Sequence, residues 1–261
     1  MHAFFYPISS LPFTTIHYVG IPLVFPQFGQ PLKEMSQHGF ARNSIWTVTG
    51  TSVDADRGVA VFTLTDNENT RALWNFPFRL TYTVELCGTL RTSLTACNTG
   101  GELFQCQMLL HTYLRIGEIT NISVTGFQDC VVFDQLSKET SDESSAACTI
   151  NCEVDRIYKS TSKKAIGDLV LKEPGRRDLM LSTTSTKITQ VPDADAVDHD
   201  GHPTDVVFWN PWIDKAKGLA DMPDEGFHSF VCIEPGVVQD WVQLKPSDEI
   251  VLTQTFQVAS A

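Results

Sequence analysis

Leu109-Leu110-His111-Thr112-Tyr113-Leu114-Arg115 is the stretch whose reading decides the fold. It lies inside residues 104–116, which alternate with a period of two. Phe104, Cys106, Met108, Leu110, Thr112, Leu114 and Ile116 fall on one face, and Gln105, Gln107, Leu109, His111, Tyr113 and Arg115 on the other. The first face is nearly all apolar and suits a core. The second brings together an imidazole, a phenol, a guanidinium and two amides, which suits the floor of a polar groove. The alternation predicts one strand across residues 104–116. Taken alone, His111 is open to a second reading, a core histidine satisfied by a backbone carbonyl.

Moving outward, the same period recurs. Residues 78–86 alternate, Gly88 interrupts, and 90–96 alternate again, which predicts a hairpin. Further strands are expected at 59–65, 149–158, 168–172, 178–183, 205–212 and 249–258. A short helix is expected at 213–222, and polar loops at 137–145 and 192–205. The second loop is acidic but lacks the ligand order and turn glycine of a calcium loop. Thirteen prolines and sixteen glycines among Val, Thr and Phe fit strands joined by turns. The fold class is all-β, and a sandwich of 261 residues forms one large core without difficulty.

The net charge of −12, with no block of Lys or Arg, excludes a nucleic-acid or anionic-membrane surface. No apolar run approaches a membrane span, and the first residues lack the basic segment of a signal peptide. The seven cysteines are odd in number and lack Cys-x-x-Cys spacing, so neither zinc nor a disulfide framework is indicated. A reducing, cytoplasmic location is expected.

Three further clusters carry polar chemistry. Gln37-His38-Gly39-Phe40-Ala41-Arg42-Asn43 places an amide, an imidazole and a guanidinium beside a glycine that lets backbone approach a ligand; a plain surface turn is the alternative. In Glu153-Val154-Asp155-Arg156-Ile157-Tyr158, Asp155 shares a face with Glu153 and Ile157, or else forms an ordinary surface pair with arginine. In Val231-Cys232-Ile233-Glu234-Pro235-Gly236, Cys232 and Glu234 share the face opposite Val231 and Ile233. Pro235 and Gly236 place the Glu234 carboxylate at an expected strand end, where packing does not require it.

In order along the chain, these motifs resemble the galactose-mutarotase-like superfamily, and within it the hexose-6-phosphate 1-epimerases. The matching stretches are GIPLVFPQFG from Gly20, QHGFARNSIW from Gln37, FRLTYTVEL from Phe78, LLHTYLRI from Leu109, EVDRIY from Glu153, DVVFWNPW from Asp205 and VCIEPG from Val231. The resemblance implies a large antiparallel β-sandwich with a concave site, one epimerase domain over residues 20–261, a monomer, and neither metal nor organic cofactor. It implies interconversion of the α and β anomers of glucose 6-phosphate and similar hexose 6-phosphates. His111 is then the general acid and Glu234 the general base, with Gln37, Arg42, Asp155 and His38 binding substrate and Arg42 on the phosphate. An epimerase of unphosphorylated sugars would keep the acid/base pair without depending on Arg42. A non-catalytic sugar-phosphate-binding sandwich would keep the fold but need not keep both proton-transfer residues.

One departure stands out. The family reads Arg-Gly-Gly-Ile-Pro where this chain reads Tyr18-Val19-Gly20-Ile21-Pro22, so Tyr18 replaces a phosphate-binding arginine. Residues 1–19 also lack the pattern of the family's first strands, which implies an exposed sheet edge. The combined change Tyr18→Arg and Val19→Gly is expected to raise kcat/KM for glucose 6-phosphate selectively, by roughly the 1.5–3 kcal/mol of a charged hydrogen bond. A soluble double variant with unchanged kcat/KM would contradict that.

Overall fold

A computed structural model describes residues 20–160, 165–190, 197–219 and 222–259. The expectations for residues 1–19, including the role of Tyr18 and the missing strands, lie outside the described residues.

Period-two alternation produces two antiparallel sheets packed face to face, as expected. The first has eight strands. Its order is Leu23–Val24, Phe104–Leu110, Phe230–Leu244, Asp205–Asn210, Val154–Lys159, Val131–Asp134 and Thr140–Asp142, with Tyr113–Arg115 also pairing with Phe230–Leu244. The second has ten. It runs Ala147–Cys148, Ser123–Thr125, Leu169–Lys172, Leu179–Gln190, Glu249–Val258, Thr89–Asn98, Phe78–Cys87, Gly58–Thr65 and Thr47–Val53, and Val197–His202 pairs with Leu179–Gln190.

The inner faces form two apolar clusters. Leu114, Val154, Tyr158, Phe208, Val231 and Ile233 meet Leu169, Leu179, Leu181 and Phe256 at one end. Phe104, Cys106, Met108, Leu110 and Val237 meet Phe78, Leu80, Leu94, Ile250 and Leu252 at the other. A third cluster lies on the outer face of the eight-stranded sheet, around Leu109, Tyr113, Val207, Trp209 and Cys232. That outer face carries the site.

The faces of residues 104–116 are as read, but the strand is not continuous. It breaks at His111 and Thr112, leaving Phe104–Leu110 and Tyr113–Arg115 as separate strands on the long strand Phe230–Leu244. The break is held by definite bonds. The His111 amide donates to the Pro22 carbonyl at 3.0 Å, and the Thr112 amide folds back to Leu110 at 2.9 Å. The Thr112 hydroxyl donates across the sandwich to Gln254 Oε1 at 3.0 Å, and Gln254 Nε2 donates to Thr92 at 3.1 Å. Thr112 and Gln254 are fully buried, so each polar atom there needs its partner.

The break also explains Pro235. Residues 235 and 236 do not end a strand: Phe230–Leu244 runs straight through them. The Ile233 amide donates to Thr112 O at 3.3 Å, so the nitrogen two residues on points to the same side, where the neighbouring ladder is interrupted. A proline is tolerated in this central strand because no ladder bond is due from it. Gly236 serves a close strand approach rather than a turn, since a Cβ there would lie 2.8 Å from the Met108 carbonyl oxygen.

Other boundaries shift for local reasons. Residues 140–142 of the expected loop pair with Val131–Asp134, and residues 197–202 of the acidic segment pair with Leu179–Gln190. The late helix is Trp212–Ala216, shorter than expected. A helix at Glu68–Leu73 went unread although Asn67 and Thr70 form a capping box.

Gly39 fixes the loop of residues 25–43 to the sheet. Its φ is +74°, it bridges Phe25, and a Cβ would fall 2.1 Å from the Phe25 carbonyl oxygen. Gly39→Ala is therefore expected to cost roughly 2–5 kcal/mol from a strained dihedral and a backbone clash together. A urea-denaturation midpoint equal to that of the parent would contradict this close approach.

Candidate active site

The sheet register sets the site's rows. On the outer face Asp155, Trp209, Cys232 and Tyr113 are cross-strand neighbours in one row. Ile157, Val207 and Glu234 form the next row. His111 ends that second row, at the strand break beside Glu234. The register is the same on either side of the break, Gly236 opposite Leu109 and Cys232 opposite Tyr113, so residue 111 falls opposite Glu234. The His111 Nδ1 to Glu234 Oε1 separation is 3.5 Å. His111 stacks on Tyr113 at 4.9 Å between ring centres and 8° between planes. Trp209 meets it edge-on at 5.9 Å.

The loop after Leu23–Val24 closes the other side. His38, also at positive φ, accepts a hydrogen bond at Nδ1 from the Gly29 amide at 3.2 Å, which fixes a neutral tautomer protonated on Nε2. Its ring meets His111 edge-on at 5.7 Å. Arg42 stands in the short 3₁₀ turn Ala41–Asn43, and its Nη2 donates to the Gln37 carbonyl at 3.0 Å.

Gln37, His38, Arg42, His111, Asp155 and Glu234, the six residues singled out in the sequence, line one cleft of about 200 Å³. Pockets for drug-sized ligands span roughly 300–1,000 Å³, so this one suits a monosaccharide. The surface-turn reading of residues 37–43 and the surface-pair reading of Asp155 are both set aside by this convergence. Asp155 does not pair with Arg156, which instead reaches Asp134 at 3.2 Å from the opposite face.

The sequence missed Lys215 and Gln135. Lys215 rises from Trp212–Ala216, binds Glu153 at 3.2 Å and Asp155 at 3.5 Å, and lies 5.9 Å over the Trp209 ring. Its signal was available: a cation one helical turn after Asn210-Pro211 returns to the strand end. Gln135 donates to Asp155 Oδ1 at 2.5 Å from a turn that only the three-dimensional pairing brings close. Trp209 lines the cleft, whereas Trp212 packs on Phe227 and Phe40 on Phe78.

Burial dominates the electrostatics. Desolvation and then the Arg42 charge lower the His38 pKa to about 3. Desolvation, His38 and Arg42 push His111 well below its ordinary value. Desolvation and then Asp155 push Glu234 well above the usual carboxylate range, against an opposing pull from Arg42. Asp155 is raised by burial, with Lys215 and Gln135 opposing. At 3.5 Å the His111–Glu234 contact is therefore a neutral pair rather than an ion pair. Two titratable groups pushed in these directions in one cleft make it a candidate proton-transfer site.

Among the described residues one cluster, His111, Cys232 and Glu234, has the donor set for a cation. All seven cysteines are free thiols. No described helix is long and apolar enough to cross a membrane.

A two-sheet antiparallel sandwich with this concave cleft is a galactose mutarotase-like fold. A mutarotase from Salmonella typhimurium superposes with a TM-score of 0.81 at 25% identity, covering 99% of this chain and 80% of that one. The sequence matches the aldose 1-epimerase family over residues 15–257. The chain belongs to the aldose 1-epimerase family, and so to the isomerases that interconvert sugar anomers. Relatives named as glucose-6-phosphate 1-epimerases include one from Cenchrus ciliaris, 30% identical over 240 residues, covering 88% of this chain and 67% of that protein. Another, from Escherichia coli strain K12, is 28% identical over 241 residues, covering 92% and 74%.

The neutral pair predicts a pH profile. Its one-proton state, shared between His111 and Glu234, gains a second proton only below the ordinary imidazole value of 6.5 and loses the first only above the ordinary carboxylate value of 4.5. With an unphosphorylated aldose, so that no substrate phosphate titrates, kcat/KM is expected to show its acid limb below pH 6.5. An acid limb centred at or above 6.5 would contradict the assignment of burial as the dominant cause.

Proposed function

We propose that the chain interconverts the α and β anomers of glucose 6-phosphate, and of similar hexose 6-phosphates, with His111 and Glu234 as the acid/base pair. The observation that carries this reading is the buried imidazole and carboxyl facing each other in a cleft that also holds Arg42. The names of the relatives from Cenchrus ciliaris and Escherichia coli support the phosphorylated substrate.

The chemistry follows from the pair. The Glu234 carboxylate takes the proton of the C1 hydroxyl as the C1–O5 bond breaks, and the His111 imidazolium gives its proton to O5. The products are the open-chain aldehyde, a protonated Glu234 and a neutral His111. That is the protonation state burial favours, so the protein's low-energy proton arrangement accompanies the intermediate. Rotation about C1–C2 presents the other carbonyl face. The O5 hydroxyl then attacks C1, returning its proton to His111, while Glu234 protonates the new C1 oxygen. Each role contributes about 10²–10⁴-fold.

Asp155 accepts hydrogen bonds from ring hydroxyls and is held for this by Gln135 and Lys215. Trp209 offers a ring face for the apolar side of the pyranose. His38 and Gln37 border the same space, with His38 a neutral Nε2–H donor. Arg42 grips the 6-phosphate through charge-assisted bonds. Residues 20–261 act as one epimerase domain in this reading.

Two-dimensional exchange NMR of glucose 6-phosphate tests the activity directly, by cross-peaks between anomers that grow faster with enzyme than in buffer alone. Glu234→Gln and His111→Asn are each expected to slow that exchange at least about 10²-fold while keeping the parent's circular dichroism. A folded variant of either kind at the parent rate would refute the acid/base assignment. Arg42→Ala is expected to raise KM for glucose 6-phosphate by roughly 1.5–3 kcal/mol, about tenfold or more, far more than for free glucose. Equal losses on both sugars would place Arg42 away from the phosphate.

A further inference from the structure

Cys232 stands within the site and has no part in the proton transfers. It is fully buried, shares the outer face and strand with Glu234, and lies across from Tyr113. His111, Cys232 and Glu234 each offer a donor atom, and these atoms all lie within 4.8 Å of one another. His111 Nδ1 and Glu234 Oε2 are buried without a hydrogen-bond partner. Buried polar atoms left this way need an explanation, and a bound ion is one that satisfies both.

We propose that His111, Cys232 and Glu234 form a capture site for a thiophilic divalent cation, Zn²⁺ or Cd²⁺, which blocks the cleft. The donor set is nitrogen, sulfur and oxygen, the set zinc takes where three protein ligands leave a fourth position open. Tetrahedral zinc with ordinary bond lengths separates such donors by about 3.3–3.6 Å. The His111 Nδ1–Glu234 Oε1 edge is already 3.5 Å, and the widest edge has to contract from at most 4.8 Å. The donors come from rigid strands. Cys232 and Glu234 are two residues apart on one strand face, and His111 is set by the break in the facing strand. No linear Cys/His spacing reveals such a site, because register rather than sequence distance brings the donors together.

Binding conserves charge and needs no redox partner. The cation replaces the Cys232 thiol proton and any proton on Glu234, both released to solvent. Two anionic ligands then neutralise the dication, so no net charge remains buried. His111 and Glu234 line the cleft, which leaves the fourth position facing it, where a water or a sugar hydroxyl would bind. Blocking of sugar turnover rests on the proposed acid/base roles; cation capture itself does not.

The test separates the two. The exposed thiols are first removed as Cys87→Ser and Cys152→Ser, and this background protein is titrated with Cd²⁺ while thiolate-to-cadmium charge-transfer absorbance is followed. One equivalent is expected to bind with that absorbance. Adding Cys232→Ser is expected to abolish the band and weaken binding by more than about tenfold, the loss that removing even a hydrogen-bonding neighbour of a metal ligand produces. Cys232→Ala serves if the serine variant does not fold, and Glu234→Gln should weaken binding with the thiol still present. Zn²⁺ should arrest anomer exchange in the background protein, reversibly with a chelator, while Mg²⁺ does not. A folded background protein that takes up no Cd²⁺, or an unchanged band in the Cys232 variants, would overturn the site. Cd²⁺ capture by a protein that exchanges no anomers would overturn the acid/base function and leave the site standing.

Discussion

The structure turns on a two-residue interruption in one strand. Phe104–Leu110 and Tyr113–Arg115 would form one continuous ladder against Phe230–Leu244 if His111 and Thr112 kept the pleat. They do not, because Thr112 is bound through the sandwich to Gln254 while the His111 amide is bound sideways to Pro22. The cost of a lost ladder bond is offset by burying a fully satisfied threonine–glutamine–threonine chain in the core. Proline at 235 fits opposite the gap for the same reason. Glu234 and His111 meet there because the register runs unshifted across the interruption and sets residue 111 opposite residue 234.

Burial then does the electrostatic work. A carboxyl at 1% exposure and an imidazole at 8% are both driven to their neutral forms. That makes the carboxylate a stronger base and the imidazolium a stronger acid than either is in water, which suits moving protons on and off sugar oxygens. Arg42 and Asp155 act on this pair with opposite sign, Arg42 easing the charge on Glu234 and Asp155 opposing it. At Glu234, desolvation and Asp155 thus act together against Arg42.

Much of this was legible in the sequence because a sheet face is a local property. Period two puts Leu110 and His111 on opposite sides whatever the rest of the chain does, and it does the same for Ile233 and Glu234. The ordered motifs brought six residues from four separate stretches, and all six line one cleft. The interruption was not legible, because it depends on Gln254, more than a hundred residues away, and the alternation continues unbroken through it. Gln135 was missed for the same reason: only the pairing of Val131–Asp134 with Val154–Lys159 brings it to Asp155. The proline and glycine after Glu234 read as a strand end from local chemistry, and tertiary pairing overrode that.

The most direct measurement is a crystal structure of the protein with glucose 6-phosphate bound. C1–OH should lie within hydrogen-bond distance of Glu234 and O5 within that distance of His111, with the phosphate on Arg42. A sugar whose C1 and O5 lie away from both side chains, or a phosphate seated on Lys215 with the ring reversed in the cleft, would contradict the acid/base pair at the strand break.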